Sequence, residues 1–273
     1  MRLPLIAAYA LAACSSAAVA GPVPFVLQPG HIDLERGPDG NTVILDAPQG
    51  LIVVDTGRHP DHAARIVDHA RKVGKPVVAV VNTHWHLDHT TGNRDVLSTS
   101  PEAFIVASGA VEGALDGFLA RSADQARKAL ADPKQAGEAK DRTRRALAAI
   151  EDQAALIPGM KISRTTTGKL GGRRVEFHLA RNAATQGDLW LVLPDEKLAV
   201  VGDLVVAPFP FFDTGCEQGW SDALAEIARA KWTTLIPGHG QPMGRADFSR
   251  WRSAFTAVLD CAKSSREIGR AHV

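Results

Sequence analysis

Three histidines and one aspartate fall within six consecutive positions of this chain, in the segment T-H-W-H-L-D-H at 83–89. The candidate metal ligands in this segment are His84, His86, Asp88 and His89. Residues 76–82 precede it, and their short, mostly β-branched apolar run predicts a buried strand. Neutral imidazole and carboxylate are ligands that zinc and similar divalent ions accept. The pattern predicts a metal site at the end of a strand, and the alternative is a polar turn that is merely rich in histidine.

The strand and its H-x-H-x-D-H loop resemble the signature of the metallo-β-lactamase-fold hydrolases. Three further segments occur in that family's order. Residues 53–57 (V-V-D-T-G) resemble the turn before the signature, and 201–204 (V-G-D-L) resemble the segment whose aspartate bridges two metals. Residues 236–240 (I-P-G-H-G) resemble the loop that supplies a late histidine. The resemblance covers about residues 25–262. It implies an α+β fold, a four-layer αββα sandwich, and it does not identify a substrate.

The resemblance implies two neighbouring metal positions, and the first of them departs from the family pattern. The first would use His84, His86 and Asp203, and the second would use Asp88, His89, His239 and the shared Asp203. In the family a third histidine ligand of the first position precedes T-x-G-D. Aligning that motif with N-A-A-T-Q-G-D at 182–188 places Ala184 where this histidine should be. We expect one or two Zn²⁺ ions, with the second position firmer, because catalytic zinc usually keeps three protein ligands.

Three residues outside the family positions are candidates to complete the first metal position, namely His178, Asn182 and Asp213. His178 lies on a predicted strand, and the alternative is that its ring packs against a neighbouring residue. The ligand types suit zinc, iron and manganese, and imidazole in an oxidising compartment favours zinc.

Two aspartates have roles that the resemblance implies beyond simple ligation. A bound divalent ion would lower the pKa of a water molecule, and Asp88 would be the catalytic residue that orients this water. Asp55, in the D-T-G turn, would support a ligand through hydrogen bonds. Turn formation alone is the alternative role for Asp55.

Aromatic residues are concentrated in the loop 208–216, shortly after the predicted bridging aspartate. Phe209, Phe211, Phe212 and Asp213 are the candidates for a substrate pocket, because apolar walls with few polar groups are typical of ligand sites. Ordinary packing between the two halves of the chain is the alternative. Together with residues 183–191, the loop resembles a secreted branch of the superfamily that is linked to quinoprotein systems.

The elements that must position these residues are predicted in both halves of the chain. Strands are predicted at 42–45, 51–54, 104–107, 174–180, 189–193, 197–201 and 233–236, and helices at 60–72, 221–230 and 247–261. Residues 113–156 are rich in alanine and charged residues, with apolar residues at helical intervals. This segment predicts two or three inserted helices, which either overhang the site or form a solvated face.

The N-terminus is typical of an export signal. Arg2 precedes an uncharged run and 18–20 (A-V-A) fits a cleavage site, so a signal peptide is predicted at 1–20. The alternative is a lipoprotein leader at 1–13, because L-A-A-C resembles a lipobox that would place a lipid on Cys14. Both predict a periplasmic or secreted protein, which contacts a membrane only if Cys14 is lipidated.

One mature domain is expected at 21–262, and residues 267–273 match a translated sequencing adapter, so we treat them as an artificial tail. Two cysteines remain in the mature chain, Cys216 and Cys261. An even pair in an oxidising compartment predicts a disulfide bond. The alternative is Cys216 as a metal ligand, although Asp203 already takes the place at which some family members use cysteine.

Composition bounds the function class. The net charge of +1 over 273 residues lacks the excess of basic residues that is typical of nucleic-acid-binding proteins. The expected partner is therefore a small-molecule substrate. The predicted function is a periplasmic zinc-dependent hydrolase of an ester, thioester, lactam or similar bond. The alternative is a non-catalytic metal- or ligand-binding protein with an incomplete first metal position. β-Lactam hydrolysis itself is disfavoured by the missing histidine at Ala184.

Overall fold

The structure, a computed structural model, describes residues 25–33 and 36–271. The predicted signal peptide at 1–20 and the lipidation site Cys14 lie outside the described residues. Two large sheets dominate the part of the chain that is described. The strands are β1 (Phe25–Gln28), β2 (Ile32–Asp33), β3 (Gly37–Pro38), β4 (Thr42–Ala47), β5 (Gly50–Val54), β6 (Val77–Val81), β7 (Phe104–Ser108), β8 (Met160–Ile162), β9 (Thr166–Leu170), β10 (Arg173–Arg181), β11 (Gly187–Leu193), β12 (Leu198–Val200) and β13 (Thr234–Ile236).

The two large sheets each take their strands from one half of the chain. The first sheet has the order β1-β4-β5-β6-β7-β8, and the second has the order β13-β12-β11-β10-β9. In the first sheet, β5 to β8 run parallel to one another, and in the second sheet, β12 and β13 are parallel. The short strands β2 and β3 form a separate antiparallel pair.

Side-chain alternation along the strands divides the core into layers. On β11, Leu189 and Leu191 face the core between the two sheets, whereas Trp190 and Val192 face the helices on the other side. On β5, Ile52 joins the core between the sheets, and its neighbours pack on the opposite face. Successive strand residues point to opposite faces, so strands that are apolar throughout are buried on both sides.

Helices cover both outer faces of the paired sheets. The helices are α1 (Pro60–Val73), α2 (Leu87–Thr90), α3 (Asn93–Thr99), α4 (Ala110–Asp116), α5 (Phe118–Ala131), α6 (Gly137–Glu151), α7 (Glu217–Arg229) and α8 (Arg245–Ala271). Helices α1 and α3 pack on the first sheet through Ile66 and Val96, and α7 and α8 pack on the second sheet through Trp220 and Phe255. The predicted four-layer αββα fold is confirmed.

The helical segment predicted at 113–156 forms α4, α5 and α6. Its apolar residues make a small core of their own, which includes Leu119, Ile150 and Trp85 of the ligand loop. The segment therefore packs directly on the loop that carries the candidate ligands, and it overhangs the site.

The predicted disulfide bond is wrong. Cys216 and Cys261 are both exposed and are not bonded to each other. The link between the start of α7 and the last part of α8 is an ion pair between Glu217 and Lys263. An even number of cysteines carries no information about the distance between them, and here a neighbouring charge pair connects the two helices.

The last helix is longer than the sequence predicts. α8 ends at Ala271 rather than at residue 261, so the backbone of 267–271 continues the helix. Within residues 25–33 and 36–271, no helix combines the length and apolar character that crossing a membrane requires.

Candidate metal centre

The ligand loop and Asp55 lie at one edge of the first sheet because parallel strands carry them there. Asp55 follows β5 and the ligand loop follows β6, and the carboxyl ends of neighbouring parallel strands meet at the same edge. The backbone N–H of Asp55 donates to the carbonyl of Val81 at 2.8 Å. Asp55 has a positive φ of 57°, a conformation that Asp and Asn adopt more readily than most residues.

The second sheet supplies the other two ligands in the same way. Asp203 follows β12 and His239 follows β13, which are parallel neighbours. The N–H of Gly238 donates to the carbonyl of Gly202 at 2.7 Å. A Cβ atom on Gly238 would lie 2.0 Å from Asp203 Oδ1, so only glycine permits this approach. Residue Asn41 joins the halves, because its Nδ2 donates to the carbonyls of Pro237 and Gly240, each at 2.9 Å.

The six predicted ligands come together in two groups. His84, His86 and Asp203 form one group, and Asp88, His89 and His239 form the other, with ligand atoms within 4.8 Å of one another in each group. Asp203 also contacts the second group, since its Oδ1 lies 3.1 Å from His89 Nε2 and 3.5 Å from His239 Nε2. We call the second group with Asp203 the second position, and the first group the first position.

The spacing at the second position fits a tetrahedral ion. Ligands held about 2.0–2.2 Å from such an ion lie roughly 3.3–3.6 Å apart. The Nε2 atoms of His89 and His239 are separated by 3.3 Å. Asp88 Oδ2 lies 3.1 Å from His239 Nε2 and 3.7 Å from His89 Nε2. Together with the distances to Asp203, the set has the size that zinc ligation requires.

Two buried polar atoms at the centre have no hydrogen-bond partner, which is the second sign of an ion site. They are His84 Nε2 and Asp203 Oδ1. Buried polar groups are nearly always paired, and one left unpaired costs about 1–3 kcal/mol. A divalent ion would accept the lone pairs of both atoms, so the donor set fits a metal.

Asp55 fixes the orientation of two histidines from behind. Its Oδ2 accepts hydrogen bonds from His89 Nδ1 at 2.8 Å and from the Thr83 hydroxyl at 2.7 Å. Its Oδ1 accepts from the Thr83 N–H at 2.8 Å. The Thr83 oxygen in turn lies 3.1 Å from His84 Nδ1. Because the hydroxyl proton goes to Asp55, this oxygen accepts from His84 Nδ1. Both rings therefore present an unprotonated Nε2 to the centre, a tautomer assigned from the hydrogen-bond network.

Charges at the centre perturb the ligand groups in opposite directions. Burial lowers the pKa of His89, but the carboxylates of Asp203 and Asp55 outweigh burial and hold this pKa well above its ordinary value. Burial, with the neighbouring imidazoles of His89 and His86, holds the pKa of His84 well below its ordinary value. Metal ligation needs the His89 imidazole in its neutral form, so metal affinity should fall at low pH.

At the first position a threonine hydroxyl lies beside Ala184. The Thr214 hydroxyl donates to the Ala184 carbonyl at 2.8 Å and lies 3.2 Å from His86 Nε2. Its proton is used on the carbonyl, so its oxygen accepts from His86 Nε2–H, and the lone pair of that neutral ring is then on Nδ1. No sequence pattern pointed to Thr214, because it lies 30 residues from Ala184 in the chain.

Of the three candidates to complete the first position, the structure places two elsewhere. His178 stacks on Trp190 with ring centroids 3.9 Å apart, and its Nδ1 bonds Glu226 at 2.8 Å. Asn182 lies in a turn in which its N–H donates to the Gln186 carbonyl. Asp213 lines the cavity beside His86.

A cavity of about 240 Å³ lies beside the ligands, and we call it the metal cavity. Its wall includes Leu87, Phe118, Phe211, Asp213 and Arg58. Two of the predicted pocket residues are not part of this wall. Phe212 packs against Trp220 and Phe255, with ring centroids 5.6 and 5.8 Å away. Phe209 is 55 % exposed. The ring of Phe212 is directed toward α8 and Phe209 toward solvent, so neither lines this cavity, and their role in a substrate pocket stays a prediction.

Comparison with known proteins adds to this geometry. The sequence profile of the metallo-beta-lactamase superfamily matches residues 36–239. A linear primary-alkylsulfatase from Pseudomonas sp. (strain ATCC 19151) is 27% identical over 224 residues, which covers 73% of this chain and 41% of that protein. This chain therefore spans about two fifths of the length of that curated relative.

Solved structures share the fold at low sequence identity. A stereoselective inverting sec-alkylsulfatase from Pseudomonas sp. has a TM-score of 0.60 at 18% identity, covering 84% of this chain and 41% of that chain. A metallo-beta-lactamase family protein from Thermus thermophilus has a TM-score of 0.63 at 14% identity, covering 87% of this chain and 81% of that chain. At these identities the likeness concerns the fold alone.

Proposed function

This chain belongs to the metallo-beta-lactamase superfamily, and on that premise we propose that it is a metal-dependent hydrolase whose ion is Zn²⁺. The observation that carries the proposal is the convergence of six His and Asp side chains in two groups that share Asp203. The second position is the one we expect to hold an ion firmly. Its ligand atoms lie 3.1–3.7 Å apart, and Asp55 fixes the tautomer of His89.

A divalent ion at this centre would lower the pKa of a water molecule and polarise an electrophile. Asp88 is the proposed catalytic residue, which orients the attacking water by accepting a hydrogen bond from it. The two carboxylate oxygens of Asp88 face different groups. Oδ2 lies 3.1 Å from His239 Nε2, and Oδ1 lies 3.6 Å from Arg58 Nη2 on the cavity wall. Phe118 and Leu119 of the inserted helices form an apolar side of the metal cavity.

The substrate is proposed to be a small molecule with an ester, thioester, lactam or similar bond. A cavity of about 240 Å³ suits a compact reacting group rather than a macromolecule. A sulfate ester belongs among the substrates to test, because the curated relative is a linear primary-alkylsulfatase.

The alternative is a non-catalytic metal- or ligand-binding protein. The first position favours it, because Ala184 stands where the family's third histidine would be and only His84, His86 and Asp203 are grouped there. The missing histidine leaves the second position untouched, so hydrolysis with one ion remains the better-supported function.

Elemental analysis and a hydrolysis panel together test the proposal. Protein purified without chelators should hold at least one zinc per chain and hydrolyse at least one 4-nitrophenyl ester, thioester, sulfate ester or cephalosporin. Asp88→Asn should abolish turnover, and Asp68→Asn, at an exposed residue paired with Arg71, should not. A chain that binds no zinc contradicts the metal centre, and a zinc-loaded chain with no turnover on the panel favours the binding protein.

We also propose that the protein is exported, on the strength of the leader-like residues 1–20. Fractionation of bacteria that express the full chain should place it in the periplasm or medium. Replacing Cys14 by serine should leave it soluble there, whereas a lipoprotein would move from the membrane fraction on this change.

A further inference from the structure

Arg58 is a cation at the metal cavity that the proposed hydrolysis does not use. Its backbone is held on both sides, since its N–H donates to Asp39 Oδ1 at 2.6 Å and its carbonyl accepts from Arg145 Nε at 3.3 Å. Its side chain is only loosely paired, with Nη2 3.6 Å from Asp88 Oδ1. Its Nε is buried and has no hydrogen-bond partner. A guanidinium on a fixed backbone, with a buried donor left unused, is suited to receive an oxyanion.

A second, larger cavity lies on the other side of Arg58. This outer cavity has a volume of about 390 Å³ and shares Arg58 and Leu87 with the metal cavity. Four arginines and two carboxylates lie in its wall: Arg36, Arg58, Arg142, Arg145, Glu138 and Asp141. The metal cavity instead contains Asp88, Asp203 and Asp213. Three of these arginines pair with carboxylates, Arg36 with Asp61, Arg142 with Glu138 and Arg145 with Asp95. Arg58 instead faces a carboxylate of the metal cavity, at 3.6 Å from Asp88 Oδ1.

We propose that Arg58 binds an oxyanion group of the substrate, a carboxylate, sulfate or phosphate that is separate from the bond being cleaved. The oxyanion lies toward the outer cavity while the reacting group lies at the ligands, and Arg58 stands between them. This proposal rests on the proposed hydrolase function and narrows its substrates to anionic molecules. A planar guanidinium fork binds such groups through two parallel N–H···O bonds, which lysine cannot reproduce.

Two esters that differ by one terminal carboxylate group test the proposal. They are 4-nitrophenyl butyrate, which is neutral, and the mono-4-nitrophenyl ester of glutaric acid, which carries a carboxylate. Zinc-loaded wild type, Arg58→Gln, Arg58→Lys and the control Arg71→Gln are compared, with zinc content measured for each. Arg71 lies on α1, is exposed and pairs with Asp68, so it matches the change in charge without contacting either cavity.

The expected result is a split between the two substrates. Arg58→Gln should raise KM for the glutarate ester by about 10- to 100-fold, the value of a charge-assisted hydrogen bond. Its KM for the butyrate ester should change by less than about twofold, whereas kcat should fall to the same extent on both esters, because the variant removes a charge 3.6 Å from Asp88 Oδ1. Arg58→Lys should recover part of the KM change on the glutarate ester, and Arg71→Gln should leave both KM values unchanged. Equal changes of KM on both esters, or none on the glutarate ester, would overturn the proposal.

A binding measurement separates failure of this proposal from failure of the proposed function. If wild type cleaves neither ester, glutarate binding is measured by calorimetry on the same zinc-loaded proteins. Weaker glutarate binding to Arg58→Gln than to Arg71→Gln supports the oxyanion site even when hydrolysis has failed. Equal binding to the two variants overturns the oxyanion site, whatever the hydrolysis panel gives.

Discussion

Replacing Asp55 by asparagine should lower metal affinity by about 10- to 100-fold while leaving the fold in place. Asp55 accepts three hydrogen bonds, from the Thr83 N–H, the Thr83 hydroxyl and His89 Nδ1. Asparagine keeps the shape and tolerates the positive φ. Its amide oxygen can still accept from the Thr83 N–H, but its NH₂ group then faces the hydroxyl and the imidazole as a donor.

Replacing this acceptor oxygen by a donor NH₂ group changes the tautomers of two ligands, His89 and His84. His89 Nδ1 must become an acceptor, so its proton moves to Nε2. The Thr83 hydroxyl accepts from the amide and turns its proton toward His84 Nδ1, 3.1 Å away, so His84 also becomes protonated at Nε2. Both rings then present N–H groups to the ion. Loss of such a supporting partner typically costs 10- to 100-fold in metal affinity, about 1.4–2.7 kcal/mol.

The matching alanine variant separates orientation from folding. Asp55→Ala leaves three buried donors without an acceptor, at about 1–3 kcal/mol each. The total approaches the whole stability of a typical domain, about 5–15 kcal/mol. We therefore expect Asp55→Ala to unfold or aggregate, and Asp55→Asn to melt within a few degrees of wild type when both are metal-free.

The assay is zinc competition against a chromophoric chelator, with imidazole nitrogen shifts measured by NMR to identify the tautomers. Asp46→Asn is the control, because Asp46 is exposed and pairs with Lys75 at the far end of β4. Zinc affinity of Asp55→Asn within twofold of wild type, or unchanged nitrogen shifts at His89, would refute the reasoning.

Three further predictions concern a glycine, a threonine and a buried acid. Gly40→Ala places a Cβ atom 2.4 Å from His89 Cε1 and should abolish zinc retention, as measured by elemental analysis. The control is Gly113→Ala, whose Cβ atom would meet nothing within 4 Å and which should retain zinc. Thr214→Ala removes the acceptor that holds the His86 proton on Nε2 and should lower the affinity for a second zinc by about 10-fold in the chelator assay, whereas Thr143→Ala, whose hydroxyl donates to the Ala139 carbonyl on α6, should not. An unchanged second binding step contradicts this role for Thr214. Burial raises the pKa of Asp188 to about 7. As pH rises, this carboxyl group therefore ionises in the unfolded state before it ionises in the folded state, and the free energy of unfolding falls between about pH 4 and 7. The free energy of unfolding in urea should be measured for metal-free wild type and Asp188→Asn at pH 5 and pH 7.5. Between these two pH values the variant should become about 2–3 kcal/mol more stable relative to wild type. A difference between the two proteins that does not change with pH contradicts the raised pKa.

The sequence was sufficient for features that depend on local pattern. The apolar run at 76–82 predicted β6 at Val77–Val81, because a buried parallel strand has few polar residues to obscure it. The ligand loop was found because its histidines are close in the chain. Asp203 and His239 came only through resemblance to a family, since nothing in their local sequence demands a metal.

What the sequence missed depends on contacts between distant segments. Thr214 reaches the first position through a loop, and no periodicity places its hydroxyl against His86. Arg58 follows the D-T-G turn and belongs to no sequence motif, and only the two cavities that share it in the structure indicate a role. The disulfide prediction failed because counting cysteines does not measure the distance between them. Short strands such as β8 and β9 lie near sheet edges with mostly exposed residues, so their alternation is weak.

The amide of Asn41 has a consequence for how the protein acquires its ion. It ties the loop that carries His239 to the start of β4, and the Asn41 N–H also donates to the Gly238 carbonyl at 2.7 Å. These hydrogen bonds of Asn41 hold the His239 loop beside the first half of the chain, so the ligands from both halves are brought together without the help of an ion. Metallation should follow folding rather than drive it. A chelator-stripped sample should recharge by simple dialysis against zinc, without a denaturing cycle, and the supply of ions in its compartment would govern which metal it carries.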